Sequence, residues 1–271
     1  MKIKTSPRVL YKNNPLAEVV CQVRFSRLLA LEKDPPSGLQ DKFALIGFPL
    51  VTVDQAPSIQ IAWQNIGTER VIPQNGPSFS PATVYHFSSV DGMKKISLNS
   101  EFIAFSCLKY EEWKYFDEEF YGILNVFLTV FPNASPIRAG LRYKDLISRE
   151  NLGLHGVPWK QLISSFVGGV FHAEEYFENE ILEEVSVTHQ ASHLGLSLED
   201  CELLLQTALL KTADGSGLQA FLIDCDFFQE SPRFNISFSN IRESLNTLHN
   251  SAGAIFRHCI EEKLHVALVP I

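Results

Sequence analysis

PIRAGLRYKDLI, Pro136 to Ile147, is the stretch on which the reading of the whole chain turns. Ile137, Ala139, Leu141 and Tyr143 fall on one side of an extended backbone, and Arg138, Gly140, Arg142 and Lys144 fall on the other. This is the alternation of a half-buried strand. Its end, RYKDLI, aligns with RFSRLL at Arg24 to Leu29, the end of a similar strand near the N-terminus. The segment reads as the opening strand of a second copy of what the first half builds.

Before it, residues 1–14 are polar and irregular, and the β pattern starts with a strand over Ala17 to Phe25. Asp34-Pro35-Pro36-Ser37-Gly38 breaks that strand, and Leu39, Phe43 and Ile46 at helical spacing predict a short helix from Ser37 to Ile46. Strands are predicted at Ser58 to Gln64, Thr83 to Ser89, Met93 to Asn99 and Phe102 to Tyr110. Asp91-Gly92 provides a hairpin turn of the positive-φ type, and Asn99-Ser100-Glu101 the next turn. The Gly- and Pro-rich run from Gly67 to Pro81 is long enough to count as a functional candidate. Phe116, Phe120, Ile123, Phe127 and Val130 then form one apolar stripe, predicting a helix over Trp113 to Val130 that Pro132 ends.

The second half repeats this order. A helix beginning at Pro158 is expected to bury Trp159, Leu162, Ile163, Phe166, Val167 and Val170. Strands are expected at Leu182 to Leu196, Glu202 to Lys211 and Leu218 to Gln229, with Asp214 to Gly217 turning between the last two. A closing helix, Asn240 to Leu264, carries Ile241, Leu245, Leu248, Ala252 and Ile255 as its stripe and Asn240 with Glu243 as a capping box. The expected architecture is α+β, a tandem duplication of a strand–helix–β-meander–helix unit. Its repeats span 1–133 and 134–271 and form one compact unit, with long helices on one face of an antiparallel sheet. In element order it resembles the saddle of the TATA-box-binding protein, a likeness of fold that implies no function.

Two stretches resemble an uncharacterised, sporadically distributed bacterial family of about this length. They are PLAEVVCQVRF (Pro15 to Phe25), similar to its N-terminal PLxEVxxxxRF motif, and LHNSAGAIF (Leu248 to Phe256), similar to its C-terminal helix motif LHxxxxxxF. RAGLRYKDLI at Arg138 to Ile147 is similar to the family's middle motif, which more often reads Asn at or beside Asp145. That family carries no established activity, so the resemblance implies boundaries and not a mechanism.

Composition narrows the function classes. A chain of 271 residues with 45% apolar content can bury a large core, and a net charge of −8 argues against nucleic acid as the default partner. Cys21, Cys107, Cys201, Cys225 and Cys259 are widely spaced within apolar patterns, as free small hydrophobes are in a reducing compartment. The start MKIKTSPRVL lacks a signal-like apolar core, and Phe120 to Phe131 is too short to span a bilayer. A soluble, cytoplasmic protein with no membrane partner is the expectation.

No catalytic or phosphate-binding motif of a known class is present, so no catalytic residue, cofactor or metal ligand is predicted. His189 and His193 on a strand stand about 13 Å apart, too far to share a metal. Asp224 and Asp226 in FLIDCDFF share a strand face, about 6–7 Å apart. They read as a solvated face, as a cross-sheet ladder with Arg138 and Arg142, or as a cation or acid–base pair. His249 sits at the edge of the last stripe. Tyr110, Trp113 and Tyr115, at a strand-to-helix junction, form a speculative contact patch or cap the helix. The expected function is a non-enzymatic interaction or assembly module acting on a protein partner or its own copy. The alternative is a small-ligand or nucleotide-binding protein, with hydrolysis as an added capacity, using Arg138, Arg142, Asp224, Asp226 and His249 in a groove between sheet and helices.

Overall fold

A computed structural model describes residues 1–7, 9–56, 82–178, 187, 189–211 and 219–271 of the chain. Its centre is a long strand, β6 (Pro136–Ser148), whose Ala139, Leu141 and Ile147 are fully buried. It pairs antiparallel on one side with β1 (Leu16–Phe25) and on the other with β9 (Gln219–Glu230). From β1 the sheet continues outward through β5 (Phe102–Cys107), β4 (Lys94–Leu98), β3 (Ala82–Ser88) and β2 (Leu50–Ala56). From β9 it continues through β8 (Glu202–Lys211) to β7 (Ala191–Ser197). The nine described strands thus form one antiparallel sheet in the order β2-β3-β4-β5-β1-β6-β9-β8-β7.

Alternation assigns one face of every central strand to the core. Val19, Cys21, Val23 and Phe25 of β1, Ile103 and Phe105 of β5, and Phe221, Ile223 and Phe227 of β9 are all buried there. Two long helices cover this face, α3 (Trp113–Val130) and α5 (Ile241–Cys259); the short α1 (Ala30–Lys33) and α2 (Ser37–Leu45) precede them in the chain, α4 (Ser165–Gly168) lies between them and α6 (Glu262–Ala267) follows. The stripe of α3 meets the sheet through aromatic rings. Phe105 stacks on Phe116 at 4.9 Å between centroids, and Phe25 stacks on Phe127 at 5.1 Å. All five cysteines are buried and free. No described helix is long and apolar enough to cross a membrane.

The local turns follow their residue chemistry. Gly92 takes φ +71° in the β3–β4 connection, where Asp91 accepts from Ser89 Oγ and Met93 N. Asn99 Oδ1 accepts from the amides of Glu101 and Phe102 to turn β4 into β5.

Several expectations require correction. The helix expected from Pro158 is a set of short turns: 3-10 segments at Trp159–Gln161, Gly169–His172 and Glu174–Tyr176 around the four-residue α4. Trp159, Leu162, Ile163 and Val167 are buried as expected, but Phe166 is exposed. The closing helix is likewise interrupted between Cys259 and Glu262. Both breaks have one cause. Ile163 and Ile260 form a β-bridge, flanked by Ser164 N to Cys259 O at 2.9 Å and Glu261 N to Leu162 O at 2.8 Å. Two segments that would otherwise coil are held extended against each other, a tertiary override of helical spacing. The capping box at Asn240 does not form. Its side chain is spent on the preceding turn, accepting from Ser237 N and donating to Asn235 O.

Strand β2 was not anticipated, although its β-branched Val51, Thr52 and Val53 carry the signal. The strand expected at Ser58 to Gln64, the loop from Gly67 to Pro81 and the turn at Asp214 to Gly217 lie outside the described residues. Of the strand expected from Leu182, the described part is β7, beginning at Ala191.

Phe105 joins the sheet to α3, contacting Phe116 and Phe120 of the helix and Phe48 beside them. Phe105→Ala is expected to cost about 3–5 kcal/mol of stability in denaturant unfolding. A loss within about 1 kcal/mol would contradict this packing.

Candidate functional site

The face of the sheet opposite the helices carries a charged network centred on β6 and β9. Arg138, Gly140, Arg142 and Lys144 point to it from β6, and Asp224, Asp226 and Phe228 from β9. Arg142 binds Asp224 through two bonds, Nε to Oδ1 and Nη2 to Oδ2, each 2.6 Å. Arg138 donates through Nη2 to Asp226 at 2.8 Å and through Nη1 to Gln22 of β1 at 3.2 Å. Lys144 reaches Glu18 of β1 at 2.5 Å. The three pairs stitch β1, β6 and β9 together across the middle of the sheet.

The partners are diagonal rather than opposite. In register, Arg142 faces Asp226, and Asp224 faces Lys144. Arg142 leans one row along the sheet to Asp224. Arg138, in register with Glu230, lies further along the face to reach Asp226. Its path crosses Gly140, where an added Cβ would come within 2.6 Å of Arg138 Nη1, and its guanidinium sits 4.3 Å from the Phe228 ring centroid. Gly140 is what permits that close approach, while Phe228 supplies a cation–π floor.

Burial decides what these pairs do. The Asp224 side chain is 7% exposed and Arg142 40% exposed. A carboxylate so enclosed is costly to leave without a partner, and the bidentate guanidinium supplies one. Burial pushes the Asp226 carboxyl above its usual range, opposed by the Arg138 guanidinium at its side. Hydrogen bonding to Asp224 raises Arg142 further. The carboxylates thus serve as cross-sheet partners of arginine. The arrangement supplies polar groups fixed in place and a mixed-charge surface, with Val20, Leu204 and Leu222 as half-buried apolar neighbours.

His249 does not belong to this group. Its Nδ1 lies 2.7 Å from the Tyr143 hydroxyl, and Tyr143 is on the helix-bearing face of β6. The sheet itself separates His249 from the Arg–Asp network, so the five residues expected to line one groove are divided between two faces. His249 instead stacks on Trp113 at 4.4 Å, and Trp113 Nε1 donates to Asn246 Oδ1 at 2.7 Å. With Arg242 Nε on Asp117 at 2.6 Å, these contacts fasten α5 to α3.

The aromatic trio is divided as well. Trp113 is buried, Tyr110 packs against Phe116 and Tyr143, and Tyr115 alone is exposed.

Among the described residues, no group of three or more His, Cys, Asp or Glu side chains is placed to hold a metal ion. A cavity of about 570 Å³ opens between Ser6, Pro7 and Val9 of the N-terminal segment and Arg257, His258, Glu262 and His265. Its polar groups fasten that segment to the C-terminal helices, with His258 Nε2 on Lys4 O at 2.9 Å and His265 Nδ1 on the Tyr11 hydroxyl at 2.8 Å.

The burial of two charged residues, one on β6 and one just past it, escaped sequence reasoning. Arg149, just past the strand's end, is buried, donating to Val157 O and Gln219 Oε1 beneath the Trp159 ring. Asp145 shares the inward register of Tyr143 and Ile147 and is 5% exposed. Burial, with the Asp224 carboxylate nearby, pushes its pKa up to about 8. A charged residue in an inward row of a strand was the signal that could have found it.

No protein-family model matches the chain, and no curated protein matches it either.

Two outcomes follow from this geometry. A double-mutant cycle on Arg142→Ala and Asp224→Ala, read by urea unfolding, is expected to show coupling of about 1–2 kcal/mol, above an exposed pair and below a fully buried one. Strictly additive effects would contradict the pair.

For Asp145, the folded state holds its proton up to about pH 8 while the unfolded chain releases it near 3.8. The native state binds more protons between those values, so the group's contribution to stability falls as pH rises through that window. Asp145→Asn is expected to remove this dependence. The variant should gain on the parent at about pH 9 and lose that advantage near pH 4. A pH-independent difference between the two would contradict it.

Proposed function

We propose that the protein is a non-enzymatic interaction module that docks a protein partner on the helix-free face of its sheet, in the cytoplasm. The observation that carries this reading is the ladder itself. Arg138, Arg142, Lys144, Glu18, Asp224 and Asp226 are committed to one another in fixed geometry. Such a face is preorganised for recognition, offering charges in set positions around apolar patches at little entropic cost on binding. A cation or acid–base role for Asp224 and Asp226 loses support, because each already has an arginine. The small-ligand alternative loses its groove, because His249 lies on the other side of the sheet.

The same proposal includes a tandem duplication of the kind seen in the TATA-box-binding protein saddle. What supports it is that β1 and β6 each begin a half, pair with each other, and are followed by antiparallel strands and one long helix. The strands run outward from β1 as β5, β4, β3, β2 and from β6 as β9, β8, β7. Membership of the uncharacterised bacterial family that PLAEVVCQVRF and LHNSAGAIF resemble belongs to this reading too. The free buried cysteines fit a reducing compartment.

Arg24 and Lys95 project from the same face on β1 and β4. Affinity capture from the native host is expected to retrieve a partner with the parent protein and lose it with Arg24→Glu/Lys95→Glu, both proteins being folded by circular dichroism. An identical set of captured proteins for both would overturn the reading. So would a rise in melting temperature with a nucleotide or a divalent cation, which would favour the ligand-binding alternative.

A further inference from the structure

Away from the Arg–Asp ladder, the helix-free face carries a second polar group where β2, β3 and β4 run side by side. His86 of β3 lies in register with Ser97 of β4 and Thr52 of β2. Alternation turns all three away from the core row of Phe87 and Ile96. Both nitrogens of the His86 ring have a partner. Nδ1 lies 2.8 Å from Ser97 Oγ, and Nε2 lies 3.3 Å from Oδ2 of Asp54, the residue diagonal to it on β2.

These contacts fix a direction for proton movement. A carboxylate only accepts, so the ring proton belongs on Nε2, and Nδ1 of the neutral ring is left as an acceptor. The Ser97 hydroxyl therefore donates to Nδ1. Burial, with the Lys95 cation nearby, holds the His86 pKa below its ordinary value against the opposing pull of Asp54. The ring is thus neutral near pH 7 and able to take a proton. Nucleophile, base and a carboxylate that orients the base stand in the order that activates a serine.

We propose that Ser97 is an acyl-acceptor site, taking one acyl group per chain from an activated ester or thioester. Ser97 Oγ bonds to the carbonyl carbon, and the bond from that carbon to the leaving oxygen or sulfur breaks. The hydroxyl proton passes through His86 Nδ1 to the leaving group, so the products are an acyl-serine ester and a free alcohol or thiol. β4 is paired on both sides, so its backbone amides are spent on the ladder rather than gathered around an oxyanion. Deacylation then has the general base without oxyanion donors from β4, and the ester persists as a modification instead of turning over. A short acyl group suits the position, since Ser97 is half-buried and its neighbour in register on β5 is Ala104. This site goes beyond the docking role of the face and uses none of the residues committed to the Arg–Asp ladder.

Incubation of the full chain with p-nitrophenyl acetate, followed by peptide mass mapping, tests the assignment. The expected product is an acetyl group on Ser97 that hydroxylamine removes, as it removes esters and not acetylated lysines. Ser88 and Ser106, which flank Lys95 on the same face, are internal controls and are expected to stay unmodified. His86→Gln is expected to slow Ser97 acetylation by roughly tenfold or more, and Asp54→Asn by a smaller factor, both variants melting at the parent's temperature. In the parent the rate is expected to rise with pH about a midpoint below that of an ordinary histidine and then level off. His86→Gln should lose that step. The proposal is overturned if Ser97 of the parent carries no acetyl group, if Ser88 or Ser106 is labelled as fast, or if His86→Gln leaves the rate unaltered. Sustained hydrolysis of the ester by a chain already acetylated at Ser97 would overturn it too. None of these results bears on the capture of a partner, which is tested at Arg24 and Lys95.

Discussion

The antiparallel pairing of β1 with β6 is the contact on which everything else depends. Each strand opens one half of the chain, and each buries an apolar row against the helices. Without their pairing, two open sheets would each expose an unpaired central edge, which proteins avoid. With it, the backbone ladder runs unbroken from β2 to β7. Lys144 to Glu18 and Arg138 to Gln22 cross this seam on the helix-free face, while the inward rows join a common core on the other.

From that seam the character of the exposed face follows. Charges placed on neighbouring strands at the middle of a sheet are partly shielded from water, so leaving one unpaired is costly. The structure resolves this by giving each arginine of β6 a carboxylate of β9. The network keeps charged groups on the face without leaving them free for acid–base work. Recognition is a use of such a surface that requires nothing beyond its shape and fixed charges. The buried Asp145 lies on the reverse of the same strand and shows the opposite solution, a carboxyl kept protonated by its surroundings.

Much of this was legible in the residues. The stripe from Phe116 to Val130 gave the limits of α3, and the alternation through Arg138, Arg142, Asp224 and Asp226 put both pairs on shared strand faces. The choice of partner was not legible. Arg142 passes over the aspartate opposite it and takes the diagonal one, a consequence of inter-strand register and side-chain lean that no single segment encodes. The side of the sheet on which His249 lies was hidden for a similar reason, because it depends on how α5 is rotated against β6. The helices expected to run through Ile163 and Ile260 break there because those two residues pair across the fold. Helical spacing on each segment was real, and a contact about a hundred positions away in sequence outweighed it.

The account stands or falls on the halves being one sheet. Native-state hydrogen exchange, resolved by residue, measures this directly. The expected result is that the amides of β1, β6 and β9 exchange slowest and together, in a single cooperative opening with the global unfolding free energy. Two exchange classes divided between residues 1–133 and 134–271, with the amides shared by β1 and β6 opening well below either, would show that the seam does not hold the structure and would contradict the account.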